Sequence, residues 1–273
     1  MRNKFFIALL IVFIYPVTPV AADFNISGPE KIKGMDIYIV TSNYQEKPCD
    51  LAVLLPDKID KKIHYRVLYL LPAIGGKWEG MDEVKNKDLA NKYNIICVAA
   101  DFSRMSWYAD SDMLPNVRYD SYLPDIIVPF IDKTYPTIDK PEGRILVGFS
   151  KSGVGAISLL IRHSEIFGRA GAWDAVLETE NRSDYYCSNR YFKENYFLPD
   201  LLTKNAGIFI DRPARIAIAG LGWGGIDACH KRLEKLKIPH FCDETIVGNH
   251  SWDGGWLALL LDVLMSDDMI GKK

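Results

Sequence analysis

The sequence predicts an α/β fold with a doubly wound, mostly parallel sheet and helices on both faces. Strand and helix patterns alternate from residue 64 onward, which is the order expected when crossover helices join parallel strands. The predicted strands over 95–100 and 215–219 are almost continuous apolar runs, as is typical of strands buried on both faces of a parallel sheet. Hydrophobic residues make up 48% of the 273 and charged residues 25%, so the chain has enough apolar material for one large core.

The first half of the chain is predicted to start this sheet with antiparallel strands. Residues 35–41 alternate apolar and polar side chains, and residues 49–55 form a second strand. The elements that follow are a strand over 64–71, a helix over 81–93, the strand over 95–100 and a helical pattern over 119–135. Pro124 and Pro129 lie inside that last pattern, and we expect them to break or displace the helix because proline cannot donate a backbone hydrogen bond.

The second half continues the alternation to a closing helix. A strand over 144–149 leads directly into a helix that extends to residue 161. The later elements are strands over 169–173, 215–219 and 241–247, and helices over 228–237 and 251–265. Residues 178–213 have no clear period and are rich in aromatic and charged residues, so we interpret them as an insertion beside the functional site. Because no repeat or linker composition interrupts the chain, we expect residues 23–273 to form a single domain.

The first 22 residues have the pattern of a secretory signal. Arg2 and Lys4 precede an unbroken apolar run over 5–14, and residues 20–22 offer small side chains for cleavage. Ten apolar residues are too few to cross a bilayer, so we expect a cleaved signal rather than the alternative, a membrane anchor. The mature protein is then expected to be secreted or periplasmic.

Charge and cysteine content narrow the function further. The formal net charge is −2, and the pattern indicates neither a nucleic-acid surface nor a polybasic membrane patch. The five cysteines are an odd number, so at least one would lack an intramolecular partner if disulfides formed. We consider Cys229 and Cys242 the best-placed pair for a bridge, although the sequence does not determine the pairing.

Ser150 lies at a sharp turn between a buried strand and a helix. The turn reads Gly148-Phe149-Ser150-Lys151-Ser152, and small residues are needed there because the two backbones nearly touch. The pattern is that of a nucleophile elbow, G-x-S-x-G, with serine in place of the second glycine. It places a hydroxyl at a helix N-terminus, whose free N–H groups favour a developing anion. The alternative is an ordinary glycine- and serine-rich turn.

His250 is the histidine best placed to act as a base for Ser150. It alone follows the final predicted strand, where the chain order Ser, acid, His requires it; the alternative is a histidine that only opens the closing helix. Asp174 closes the strand after the elbow helix, and Asp227 follows the next strand. Either could orient His250, although Asp227 also stands where its helix needs an N-cap.

Two further groups of residues complete the predicted site. An oxyanion hole needs two backbone N–H groups, and Lys151 would supply one while Ile74 or Gly75 would supply the other. Four aromatic side chains follow strand ends and could form a wall that binds a phenolic or sugar-linked ester; they are Trp107, Tyr108, Trp223 and Trp252. The alternative role of these rings is packing in the core.

The order of these features resembles the Putative esterase family of α/β-hydrolases, the group of feruloyl esterases, S-formylglutathione hydrolases, siderophore esterases and mycolyltransferases. The segments that carry the resemblance are 67–72, Ser106-Trp-Tyr108, 119–135, 148–153 and His250-Ser-Trp252. The resemblance implies an α/β-hydrolase fold with Ser150 as nucleophile, His250 as base and the Lys151 N–H in the oxyanion hole.

The chain departs from the family pattern in three places. The family usually has Leu-His-Gly where this chain has Leu71-Pro72-Ala73, and Ser-Met-Gly-Gly where it has Ser150-Lys-Ser-Gly153. It usually places an acid a few residues past the strand that ends near residue 220, where this chain has Leu221-Gly-Trp-Gly-Gly225. That missing carboxylate favours Asp174 over Asp227 as the acid, a known variation among lipase-like hydrolases.

We therefore expect an exported serine esterase that forms an acyl-serine intermediate on a small-molecule or sugar-linked ester. It would need no metal or organic cofactor, no nucleic acid and no stable membrane anchor. The alternative is a non-catalytic ligand- or carbohydrate-binding protein on the same scaffold. A third hypothesis, a metal site made of Cys229, His230, His240 and Cys242, has suitable ligand types but no standard spacing.

Overall fold

The computed structural model describes residues 22–73, 77–102, 107–178, 186–220, 225–245 and 248–266. They form a nine-stranded sheet in the order β1-β2-β3-β5-β4-β6-β7-β8-β9. The strands are β1 Phe24–Ile32, β2 Met35–Ser42, β3 Cys49–Leu54, β4 Val67–Leu70, β5 Ile96–Ala100, β6 Arg144–Phe149, β7 Arg169–Trp173, β8 Ile216–Ala219 and β9 His240–Asp243. The pairs β1–β2, β2–β3 and β3–β5 are antiparallel, and the remaining pairs are parallel. The predicted mostly parallel sheet with an antiparallel start is confirmed.

Helices cover both faces of the sheet, as predicted. They are α1 Gly80–Asn86, α2 Leu89–Tyr93, α3 Tyr119–Tyr122, α4 Val128–Thr134, α5 Lys151–Arg162, α6 Asn189–Tyr196, α7 Leu198–Asn205, α8 Ile226–Lys235 and α9 Trp256–Met265. On one face, α1, α2 and α9 bury residues such as Met81 and Leu260. On the other face, α4, α5, α7 and α8 bury residues such as Leu159 and Leu233. This arrangement leaves the carboxyl ends of the parallel strands free for a site, as in other open α/β sheets.

The structure adds one strand that the pattern did not predict. Strand β1 contains Gly28-Pro29, and its pairing with β2 shifts register between Ser27 and Glu30. Most of its residues are exposed. Because the strand is a bulged and exposed edge, it lacks the apolar alternation that identifies a half-buried strand.

Two predicted helices are interrupted. The helix over 81–93 is divided into α1 and α2 by Asp88, whose φ of 52° is left-handed. In the pattern over 119–135 the chain stays helical, but a π-helical turn over Leu123–Ile127 joins α3 to α4. Pro124 lies in that turn, so proline displaces this helix without ending it.

The segment over 178–213 contains two short helices rather than irregular chain. The hydroxyl of Ser188 caps α6 by accepting from the Tyr191 backbone N–H. Helix α7 carries Pro199 in its first turn and buries Leu198 and Leu202. Each helix has eight residues, which is too short for the 3.6-residue period to stand out among the polar residues.

All five cysteines are free thiols, including Cys229 and Cys242. The bridge considered for that pair is therefore not formed in this structure. Burial raises the pKa of Cys229 to about 12 and that of Cys242 to about 11, so both thiols stay protonated at neutral pH and react slowly. Within the described ranges no helix is both long and apolar enough to cross a membrane.

Candidate active site

The turn between β6 and α5 is strained at Ser150. Its backbone has a φ of 53° and a ψ of −128°, a combination that L-residues rarely adopt. A Cβ at Gly148 would lie 2.4 Å from the Ser152 carbonyl, and one at Gly153 would lie 2.6 Å from the Ala175 Cβ. Glycine is required at both positions because the strand and the helix approach so closely. The packing holds Ser150 half-buried at the carboxyl edge of the sheet.

Ser152 replaces the second glycine of the elbow pattern and closes the turn. Its hydroxyl accepts from the Phe149 N–H at 3.1 Å and donates to the Phe149 carbonyl at 2.9 Å. The side chain is fully buried. Both hydrogen-bonding functions of the hydroxyl are therefore satisfied inside the turn, and the departure from glycine leaves no buried polar group without a partner.

The sheet places Asp174 beside the elbow. Strands β6 and β7 are parallel with Phe149 opposite Trp173, so Ser150 and Asp174 are the next residues of two neighbouring strands. The Ser150 N–H donates to the Trp173 carbonyl at 3.1 Å. Asp174 is 2% exposed, and its φ of 45° turns the chain at the strand end.

His250 is held by Asp174 from one side. Its Nδ1 donates to Asp174 Oδ2 at 2.6 Å, the length of a strong charge-assisted hydrogen bond. The imidazole packs edge-on against the ring of Phe149, with ring centroids 5.2 Å apart. Because Nδ1 is bonded to the carboxylate, Nε2 is the nitrogen that can take up a proton.

An aromatic cluster packs beside this histidine, and of its members the sequence analysis singled out only Trp252. Trp173 and Trp256 stack with centroids 5.3 Å apart and ring planes 1° apart, and Trp252 packs on both Phe149 and Trp256. The repeated tryptophans were visible in the sequence, but a side-chain pattern does not show which rings meet across strands. The cluster restricts rotation of the His250 ring by packing.

Asp227 lies elsewhere. It is in the first turn of α8, where its carboxylate pairs with Lys231 Nζ at 2.8 Å, and its side chain is 53% exposed. The N-cap of α8 is Gly225, so Asp227 does not occupy the capping position that we considered for it. Of the two candidate acids, the structure brings only Asp174 to His250.

Of the predicted oxyanion-hole residues, Lys151 lies in the part of the chain that the structure describes. Lys151 is the first residue of α5 and is 5% exposed, so its backbone N–H lies in the N-terminal turn of that helix. Ile74 and Gly75 lie outside the described residues. The chain enters that loop through Pro72 and Ala73, both of which are buried.

The four aromatic candidates have different surroundings. Trp252 is 8% exposed and lines a cavity beside His250, Trp107 is half-buried, and Trp223 lies outside the described residues. Tyr108 is 2% exposed, with a φ of 56°. Its hydroxyl donates to the Pro72 carbonyl at 2.6 Å. This position suits support of the loop after β4 better than contact with a substrate.

Replacing Tyr108 with phenylalanine is expected to lower kcat about tenfold, because the buried Pro72 carbonyl would lose its donor and the adjoining loop would shift. We expect KM to change less than about twofold, because the oxyanion donor predicted in this loop would act on charge that develops in the transition state. Steady-state kinetics on a chromogenic ester measures both. Tyr93→Phe, which removes a hydroxyl that bonds the exposed Asp262 on α9, is the matched control. An unchanged kcat in Tyr108→Phe would contradict the positioning role.

The residues of the proposed metal site do not form one. His240 Nδ1 donates to the Ile238 carbonyl, so its Nε2 accepts from His230 Nδ1 at 2.7 Å. Burial lowers the pKa of His240, which favours this neutral arrangement. Among the residues that the structure describes, no group of three or more Cys, His, Asp or Glu side chains could hold a metal ion.

Comparisons with known proteins agree with this architecture. The model of the family described as Putative esterase matches residues 42–195. Solved structures with similar folds include a ferulic acid esterase, at 19% identity and a TM-score of 0.67 over 90% of this chain and 97% of that one. A fluorophosphonate-binding serine hydrolase of Staphylococcus aureus is 15% identical, with a TM-score of 0.66 over 91% and 100%. An S-formylglutathione hydrolase of Agrobacterium tumefaciens is 15% identical, with a TM-score of 0.63 over 88% and 96%. No curated protein sequence is significantly similar to this chain.

Proposed function

This chain belongs to the Putative esterase family, and from that premise we propose that it is a serine esterase that acts through an acyl-serine intermediate. One observation carries the proposal: Asp174 holds His250 at 2.6 Å at the strand end next to the strained Ser150. An acid that orients a histidine beside a nucleophile elbow is the arrangement that activates a serine for acyl transfer.

The proposed reaction begins with attack of Ser150 Oγ on the ester carbonyl carbon. His250 Nε2 takes the serine proton as the new C–O bond forms, and the buried Asp174 carboxylate stabilises the resulting imidazolium. The Lys151 N–H and a second N–H from the loop after β4 stabilise the oxyanion. The C–O bond to the alcohol then breaks, and His250 gives its proton to the departing alkoxide.

Water completes the cycle. His250 removes a proton from a water molecule, which attacks the acyl-serine carbonyl, and the carboxylic acid leaves as the proton returns to Ser150 Oγ. The net reaction converts an ester and water into an alcohol and a carboxylic acid. We further propose that the enzyme is exported, with residues 1–22 as a cleaved signal; residues 1–21 lie outside the described residues.

The test of this proposal is hydrolysis of a series of short aryl esters by the purified protein. We expect saturable turnover of p-nitrophenyl acetate and butyrate. His250→Ala, which leaves the elbow intact, is expected to lower kcat at least about a thousandfold. Equal rates for wild type and His250→Ala would contradict an enzymatic role. Such a result, with ligand binding retained, would favour the alternative of a non-catalytic binding protein.

A further inference from the structure

A cavity of about 500 Å³ adjoins His250 on the side of α1. His250, Phe149 and Trp252 line one part of it, and α1 with the turn before it lines another. Volumes of this size are typical of small-molecule sites. The cavity therefore extends the site beyond the three residues that perform the proposed chemistry.

The charge of this cavity is negative. Four carboxylates line it, from Glu79, Asp82, Glu83 and Asp253, while no lysine or arginine is among the described residues that line it. Three of these carboxylates belong to exposed residues and form the rim. At the rim, Asp82 pairs with Lys33 Nζ at 3.8 Å with both side chains exposed, a geometry in which solvent screens most of the attraction.

Glu83 is the buried member of the set. It is only 4% exposed, and its Oε1 has no hydrogen-bond partner among the described residues. Burial raises the pKa of this carboxyl, the charge of Asp253 raises it further, and Lys87 opposes the shift. A buried carboxylate with an unbonded oxygen is unfavourable, and positive charge in the adjoining cavity would stabilise it.

The charge distribution of the cavity suits an organic cation better than a metal ion. Within the described part of the chain no three ligating side chains converge closely enough to hold a metal, so the negative charge is spread over the cavity. The rings of Phe149 and Trp252 line the same space. Distributed carboxylates beside aromatic rings suit an ammonium group, which binds through charge and through cation–π attraction.

We propose that the cavity binds the ammonium group of an ester substrate whose alcohol part carries a positive charge. We assign the ammonium group to the alcohol part of the ester, and not to the acyl part, because His250 lines the cavity and returns its proton to the leaving alcohol in the proposed reaction. This inference rests on the proposed esterase function and specifies its substrate class: esters of amino alcohols, with a primary or quaternary ammonium two or three bonds beyond the ester oxygen.

The experiment compares two esters of nearly equal shape. Acetylcholine carries a quaternary nitrogen where 3,3-dimethylbutyl acetate carries a quaternary carbon, so the ratio of their kcat/KM values isolates the charge. We expect the ratio to favour acetylcholine about tenfold in wild type, measured by titration of the acid released. Glu83→Gln, which keeps the shape of the side chain, is expected to lower the ratio at least about fivefold.

Two further variants make the result specific. Asp253→Asn at the rim is expected to lower the ratio by a smaller factor. This variant tests the same charge effect if Glu83→Gln does not fold. Glu165→Gln removes an exposed carboxylate outside the cavity and is expected to leave both rates unchanged. A wild-type ratio near one, or a ratio that neither cavity variant changes, would overturn the proposal.

Failure of the inference can be told apart from failure of the proposed function. If p-nitrophenyl acetate is hydrolysed but the charge ratio is near one, the esterase stands and the cationic substrate class is wrong. If no ester is hydrolysed, calorimetric binding of tetramethylammonium chloride tests the cavity directly. Saturable binding that Glu83→Gln weakens at least about fivefold supports a cation site, and no binding overturns it.

Discussion

Ser150→Ala is expected to lower kcat on p-nitrophenyl butyrate by about 10⁴-fold or more, because no other group at the elbow can form the acyl intermediate. Alanine keeps the Cβ that the left-handed backbone at this position already accommodates, with its φ of 53°. The variant is therefore expected to fold with wild-type secondary structure. Kinetics at high enzyme concentration and circular dichroism check both statements.

Ser158→Ala is the matched control for that substitution. Ser158 lies in helix α5, which begins directly after Ser150, and is 3% exposed, so this change tests loss of a buried hydroxyl without loss of the nucleophile. Its kcat is expected to stay within about threefold of wild type. If Ser150→Ala retained a tenth of the activity, the elbow serine would not be the nucleophile.

Asp174→Asn is expected to lower kcat by about 10³- to 10⁴-fold while the protein stays folded. An amide at this position cannot stabilise the imidazolium charge, and its NH₂ group favours the wrong tautomer of His250. Asp227→Asn removes an exposed carboxylate that pairs with Lys231, and it is expected to change kcat less than about twofold. The two variants carry the same chemical change, one directly after β7 and the other in the first turn of α8.

The opposite order would contradict the assignment of the acid. A large loss in Asp227→Asn with little effect in Asp174→Asn would mean that His250 changes partner during turnover. Equal small effects would mean that orientation of His250 depends on the aromatic packing of Phe149 and Trp173 rather than on a carboxylate.

The sheet and the elbow could be predicted because their causes are local in the sequence. Buried parallel strands are apolar runs, and the turn at Ser150 needs small neighbours whichever side chains surround it. His250 could be chosen because it alone of the five histidines follows the final strand. Asp174 followed from the resemblance to a family and from the absence of an acid over residues 221–225.

The remaining features depend on contacts between distant segments. Nothing near Ser152 in the sequence shows that its hydroxyl would bond the Phe149 backbone, so the sequence shows only a departure from the glycine of the family pattern. Asp88 interrupts a helix through a left-handed backbone, which the helical pattern does not reveal. Glu83 and Asp253 are 170 residues apart, and acidic residues on an amphipathic helix are usually solvated surface. Only the fold brings them to one cavity beside His250.

The central claim is that Ser150 is an activated nucleophile, and intact mass spectrometry after treatment with a fluorophosphonate probe tests it most directly. We predict a single covalent adduct on the wild-type protein, none on Ser150→Ala, and markedly slower labelling of Asp174→Asn than of Asp227→Asn. No adduct on correctly folded wild type, or an adduct that persists in Ser150→Ala, would contradict it.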